Sequence, residues 1–255
     1  MYCVRNPSAR RRFISLATRS SSRSPFVTSA RWKSDRPEDD KLQQQQLIYP
    51  APKTTQHSDL ASFQSYAKRT GLDEKSTVYV GTHYEYAVVA HLARYGFDLR
   101  RIGGARDRGT DLVGTWTIPT SGAAESSSSS SQPLKVLVQC KAGSGQRVGP
   151  QHMRELEGAF AGAPPGWRGS DSGVLAVMVC ERPATKGVRE ALGHSRWPMA
   201  FVYCEGGGGA VRQMLWNKRA EEHGLQGVGV GTRHVGEETE LVLLRKGKML
   251  PFVSG

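Results

Sequence analysis

Three short stretches of the chain carry side chains that could do chemistry together. In "GGARDRGTDLVGTW" (103–116), Asp111 stands at the mouth of an apolar run that reads as a strand. A buried carboxylate without a partner is expensive, so another part of the chain should meet it. "LKVLVQCK" (134–141) offers Gln139 and Lys141, and "THYEYAVVAHL" (82–92) offers Glu85. If 110–118 and 134–141 form an antiparallel hairpin with Ile118 facing Leu134, Asp111 lies opposite Lys141. Period-2 alternation then turns Gln139 to the same face as Lys141, and Val136, Val138 and Cys140 to the other. Asp111 is met by Lys141, by a metal ion, or by both.

The chemistry of such a set is specific. Two carboxylates, an amide oxygen and a backbone carbonyl suit a hard cation that prefers oxygen ligands, Mg²⁺ or Mn²⁺. A metal held there stabilises phosphorane charge and lowers the pKa of a bound water. A neighbouring lysine orients that water and offsets the phosphate charge. The expected reaction is phosphodiester hydrolysis. Each residue alone also has a plainer reading: Glu85 as a solvated helix acid, Asp111 as a turn residue after Gly109, Lys141 as an exposed strand end.

The elements that must position these residues follow from periodicity. Val80, Tyr84, Ala87, Val88, His91, Leu92 and Tyr95 recur at helical spacing, with Ser76 to cap the start and Gly96 to stop it. Glu85 sits on the margin of that buried stripe. Strands are expected at 97–103, 110–118 and 134–141, with a low-complexity serine insert read as an expanded hairpin loop between the last two. "GPQHMRELEGAFAG" (149–162) reads as a helix with Pro150 in its first turn, and "GVLAVMVC" (173–180) as a central strand covered on both faces. A helix over "ATKGVREALGH" and a strand over "MAFVYC" follow. This order predicts an α/β sandwich with a mixed central sheet flanked by helices. Residues 225–255 are too weakly patterned to place, and form a C-terminal extension beyond a domain at 76–224.

The N-terminus has a different character. Before Asp35 the chain holds seven Arg, one Lys and no acid, with abundant serine and Phe13, Ile14 and Leu16 able to form one apolar side. That is the composition of a mitochondrial import presequence over residues 1–34, implying delivery to the matrix; the alternative is a basic tail that binds nucleic acid. Those eight charges account for most of the net +12, leaving about +4, which permits an anionic partner without demanding one. Residues 35–75 are polar, include "QQQQ", and read as a linker, mostly disordered, with room for a short helix near "DLASFQSYAKR". No apolar run approaches the length of a membrane span. Cys140, Cys180 and Cys204 lie in strand-like runs without CxxC spacing and read as buried free thiols. "GGGG" (206–209) lacks a following Lys-Ser/Thr and is a turn, not a phosphate loop.

Taken together, "GTHYEYAVVAHL", "GGARDRGTDLVG" and "VLVQCKA" resemble the PD-(D/E)xK nuclease superfamily, in its Mrr-type restriction-endonuclease branch. The resemblance covers roughly residues 76–205. It implies a restriction-endonuclease-like α-β-β-β-α-β core and a Mg²⁺-dependent endodeoxyribonuclease acting on double-stranded DNA. By position, Glu85 is the helix carboxylate, Asp111 the main metal ligand and Lys141 the catalytic lysine. Gln139 stands where the wider superfamily has an acid, and the Cys140 position joins Asp111, Glu85 and Gln139 in the implied metal set. Asp107 is a lesser candidate. Mrr-type enzymes share the glutamine, which removes one negative charge from the metal site. The basic N-terminus and "LWNKRAEE" (215–222) resemble a fungal mitochondrial family required for respiratory growth. Two functions follow: a nuclease that maintains the mitochondrial genome, or a nuclease-like domain without catalysis that binds nucleic acid or assists assembly. Arg100, Arg101, Arg106, Arg108, Arg147 and Arg154 flank the motifs and could contact phosphates.

Overall fold

Asp59 starts a helix inside the segment expected to be a linker. Its carboxylate accepts from Ser62 N at 2.8 Å, while Ser62 Oγ accepts from Asp59 N at 3.0 Å, a reciprocal cap. The helix, α1 (Leu60–Thr70), ends at Gly71, whose φ of 66° is open to glycine. Phe63 and Ala67, four residues apart, are its buried face. This is the short helix for which the linker had room near "DLASFQSYAKR", and its buried face packs rather than remaining solvated.

The computed structural model describes residues 49–52, 54–103, 109–120, 132–143, 145, 147–165, 167, 173–207 and 209–253, all in the unit formed by residues 46–255. The expected presequence, the first part of the linker, Arg106, Asp107, Arg108 and the serine insert lie outside the described residues.

Ser76 caps the next helix, α2 (Thr77–Ala93), by accepting from Tyr79 N, as the sequence predicts. Three antiparallel strands follow: β1 (Phe97–Arg101), β2 (Leu112–Trp116) and β3 (Leu134–Lys141). Helix α3 (Pro150–Gly162) leads to β4 (Val174–Cys180), parallel to β3, and helix α4 (Lys186–His194) to β5 (Met199–Cys204), parallel to β4. An antiparallel β6 (Val211–Trp216) completes a mixed six-stranded sheet in chain order, β1 to β6. The fold is therefore α/β, with helices on both faces.

The two faces carry separate apolar layers. Tyr84, Val88 and Leu92 of α2 pack with Leu112, Val136 and Val138. On the other face Met153, Leu156 and Phe160 of α3 and Val188 and Leu192 of α4 pack with Val113, Leu137 and Met178. β4 is buried along its whole length, as a strand covered on both sides must be.

The β2–β3 register differs from expectation by two residues. Trp116, not Ile118, stands opposite Leu134. The indole decides this: it is fully buried, stacks on Phe97 with ring centres 4.3 Å apart, and donates its N–H to Tyr95 O at 2.9 Å. An even slip leaves every side chain on its predicted face. It does take Asp111 away from Lys141: Asp111 bonds instead to Val138 and Cys140 of β3.

The C-terminal residues also form structure the sequence left unplaced. A short helix, α5 (Lys218–Ala220), runs into a π-turn over Glu221–Leu225, and then β7 (Val228–Val235), β8 (Glu238–Arg245) and β9 (Lys248–Met249) form a second, antiparallel sheet. Leu241, Leu243 and Leu250 from it join the α2-side core. Alternating glycines in "VGVGTRHV" had concealed β7. Among the described residues no helix is long and apolar enough to cross a membrane.

Candidate functional site

Asp111 is held at the end of the sheet by both neighbouring strands. Its N–H donates to Val138 O at 2.8 Å, and its own carbonyl accepts from Ile102 N and Gly103 N, each at 2.8 Å. Gly103 lets the two backbones come close: a Cβ on it would lie 3.2 Å from Asp111 Cα, a tight contact. The carboxylate then turns back to β3, where Oδ2 accepts from Cys140 N at 2.7 Å. A charged acceptor and a short distance make this a strong bond.

Gln139, the neighbour of Cys140 in β3, is 8% exposed. Among the described residues its buried Oε1 has no hydrogen-bond partner, and neither has Oγ1 of Thr110, the residue before Asp111. Burying an oxygen this way costs energy unless something binds it. Gly109 sits against the amide group, with space for a Cβ only 3.4 Å from Nε2, at a φ of 80° that favours glycine. Lys141 is half-buried and, among the described residues, has no salt bridge.

Glu85 approaches from the α2 face. Its carboxylate forms an ion pair and hydrogen bond with Arg101 Nε, and the Arg101 guanidinium also reaches Thr82 Oγ1 at 3.4 Å. Both side chains are mostly shielded, 15% and 13% exposed. The cation that meets Glu85 is thus the last residue of β1, which the sequence suggested only as one of several phosphate contacts. Its signal was the arginine at the strand end directly opposite Leu112.

The four residues singled out from the sequence therefore occupy one end of the sheet, in two groups. Asp111, Gln139 and Lys141 belong to the β2–β3 pair, and Glu85 to the pair with Arg101. Cys140 lies between them. Burial pushes its thiol well above the usual range, and the charges of Asp111 and then Glu85 raise it further. Both carboxylates bear on one sulfur. Cys140, Cys180 and Cys204 are all free thiols, as expected.

An oxygen-preferring divalent cation fits part of this set. The Asp111 carboxylate and the orphaned Gln139 Oε1 are the hard donors such an ion needs. Glu85 is neutralised by Arg101, and among the described residues no group of three or more His, Cys, Asp or Glu gathers for a metal. The donor set is oxygen-rich and low in charge.

These features define an α/β protein with a mixed six-stranded sheet that bears an acid–amide–lysine cluster at one end. The model of the family described as "Required for respiratory growth protein 7" matches residues 76–232, more than half of the chain. The chain belongs to that family. It is 31% identical to an uncharacterized mitochondrial protein of Schizosaccharomyces pombe, over 64% of this chain and 61% of that one. It is 33% identical to "Required for respiratory growth protein 7, mitochondrial" of Zygosaccharomyces rouxii, over 36% of this chain and 50% of that one. With the protein of that name in Saccharomyces cerevisiae it shares 26% identity, over 56% of this chain and 72% of that one. The chain thus spans about half to three fifths of the length of the first two relatives. No solved structure matches.

Proposed function

We propose that this chain is a nuclease-like protein of the mitochondrial matrix that hydrolyses phosphodiester bonds in double-stranded DNA with Mg²⁺ or Mn²⁺, and that it supports mitochondrial genome maintenance and respiratory growth. The observation that carries the reading is the bond from Cys140 N to the Asp111 carboxylate, which ties that acid to the strand position between Lys141 and Gln139, whose buried Oε1 has no hydrogen-bond partner among the described residues. The order helix, three antiparallel strands, helix, parallel strand supports a restriction-endonuclease-like core. The mitochondrial address rests on the acid-free basic N-terminus and on relatives whose names carry that location.

In the reaction, a water oxygen forms a new bond to phosphorus, the bond to the leaving sugar oxygen breaks, and that oxygen takes up a proton. A divalent cation, when bound, supplies Lewis acidity at the phosphate and a more acidic water. Asp111 and Gln139 are the residues that would hold it. Lys141 places an ammonium where negative charge develops on the phosphate oxygens. The Asp111–Cys140 bond keeps the carboxylate from rotating away, which is preorganisation of the kind such sites depend on.

A second reading has its own support. Arg101 already neutralises Glu85, which leaves the site short of anionic ligands. A domain that binds nucleic acid or assists assembly without cleaving would be content with that pairing. Incubating the purified protein with plasmid DNA, with and without Mg²⁺, separates the two. Cleavage that requires Mg²⁺ and disappears in Asp111→Asn supports the nuclease; binding without cleavage supports the other.

A further inference from the structure

Residues 49–52 and 54–58 form a strap that lines, together with α2 and β1, a cavity of about 320 Å³. Both ends of this strap are anchored. At one end Tyr49 lies edge-on to Trp167, with ring centres 5.2 Å apart, and the Arg100 guanidinium stacks over its ring at 4.0 Å. At the other, His57 Nδ1 and Tyr86 Oη are 2.8 Å apart, and Tyr86 Oη also donates to His57 O at 3.2 Å. The reciprocal cap at Asp59 fixes the chain directly after it. The cavity is therefore held open by packing on both sides.

Its lining has a definite chemistry. Tyr49, His57 and Tyr86 supply aromatic surface, Thr54 supplies a hydroxyl, and Arg100 and Arg101 supply cations; among the described residues no carboxylate contributes to the wall. Arg101 is balanced by Glu85, whereas Arg100 is exposed and, among the described residues, forms no salt bridge. The cavity is thus flat-walled, hydroxyl-edged and net positive. Its volume is at the lower end of small-molecule sites, room for one base with its sugar phosphate and too little for the end of a duplex.

We propose that this cavity binds a single unpaired nucleotide, its base against the aromatic wall and its phosphate on Arg100. Stacking on aromatic rings is the general way proteins hold unpaired bases, and an arginine can both stack and bind phosphate. Arg101 is shared between the cavity wall and the Glu85 pair, so an occupant here adjoins the candidate catalytic end. The inference deepens the nucleic-acid reading given above: the preferred substrate carries an unpaired nucleotide beside the duplex to be acted on. The ligand chemistry is the same for a free nucleotide and for one at a strand end, and the measurements distinguish these sources.

The test uses the full chain in its native form and in three variants, with no Mg²⁺ present. Binding of thymidine 5′-monophosphate, thymidine and inorganic phosphate is followed by calorimetry, and binding of a blunt duplex and of the same duplex with a three-nucleotide overhang by fluorescence anisotropy. The nucleotide should bind at least tenfold more tightly than either thymidine or phosphate alone. Arg100→Ala should weaken it at least tenfold, and Arg100→Lys, which keeps the charge but loses the planar stack, by less. Arg100 is exposed on an edge strand, and an unchanged melting temperature would show that the variants remain folded. If the overhang raises duplex affinity and Arg100→Ala abolishes that gain, the occupant is a strand end; if only the free nucleotide responds, it is a soluble nucleotide. Asp111→Asn should change none of these affinities for the nucleotide. The cavity can thus prove real while cleavage fails, or the reverse. Equal affinity for nucleotide and phosphate, no binding by either the nucleotide or the overhang, or binding indifferent to Arg100 would overturn the proposal.

Discussion

Asp111 Oδ2 accepts the Cys140 amide at 2.7 Å, a bond from the mouth of one strand to the residue lying between Gln139 and Lys141 in the next. It joins the acid of the β2–β3 cluster to the strand that carries the amide and the ammonium. This bond makes Asp111 structural as well as a candidate ligand, and the two roles can be separated by choice of substitution.

Asparagine keeps an oxygen where Oδ2 accepts the Cys140 amide, whereas alanine does not. Asp111→Asn should therefore stay within about 1 kcal/mol of the parent, while Asp111→Ala should lose about 1–3 kcal/mol, the usual range for a hydrogen bond to a charged group plus an unmatched donor. Urea unfolding of the two variants measures the difference. Equal loss in both would show that the negative charge, not the hydrogen bond, holds this corner together.

Glu85 and Arg101 are shielded and paired, so removing either leaves a charge without its partner. Glu85→Gln or Arg101→Met alone should cost about 3 kcal/mol, and the double variant should recover much of it. A double-mutant cycle by chemical denaturation reads this coupling. Additive losses would mean that each side chain acts through packing alone.

How much of this was legible beforehand depends on the kind of interaction. The strands and helices of the sheet were readable because burial repeats along them: β4 is apolar throughout, and Met153, Leu156 and Phe160 mark one side of α3. Faces were readable too, since alternation survives an even register slip, and Gln139 and Lys141 remained on the side assigned to them. The register itself was not, because Trp116 wins the place opposite Leu134 through contacts with Phe97 and Tyr95 that no local pattern reveals. Arg101 as the partner of Glu85 was hidden for the same reason, being sixteen residues away and on another element. In β7 the stripe is broken by glycines, so composition outweighed it, whereas the short helix near "DLASFQSYAKR" was already visible inside the polar linker.

Gly114 of β2 pairs with Leu99 of β1, and a Cβ there would fall 1.9 Å from Asp98 O. Backbone atoms cannot step aside without parting the strands. Gly114→Ala should therefore destabilise by more than about 3 kcal/mol or prevent accumulation of soluble protein, as overpacking against backbone does. Circular dichroism melting on whatever soluble fraction is obtained checks it. A melting curve like the parent's would mean that the strands separate easily here.

The thiols should be slow to react. Burial raises Cys180 and lifts Cys204 to about 12, and it puts Cys140 well above its ordinary range. The reactive species is the thiolate, so a raised pKa lowers its fraction at pH 8 while burial limits access. Iodoacetamide labelling of these three residues, followed by mass spectrometry, should be at least tenfold slower in native protein than in urea. Rapid native labelling of Cys140 in particular would show that the sheet end opens readily.

On the proposed function, the cluster around Asp111 hydrolyses phosphodiesters with a divalent cation. The most direct measurement is cleavage of supercoiled plasmid by purified protein, with Mg²⁺ or with chelator, in the parent, Asp111→Asn and Lys141→Ala. The expected result is cleavage by the parent only with the metal, and a loss of at least a hundredfold in each variant while both melt like folded protein. Folded parent protein that binds the plasmid but leaves it intact at every Mg²⁺ and Mn²⁺ concentration would contradict it.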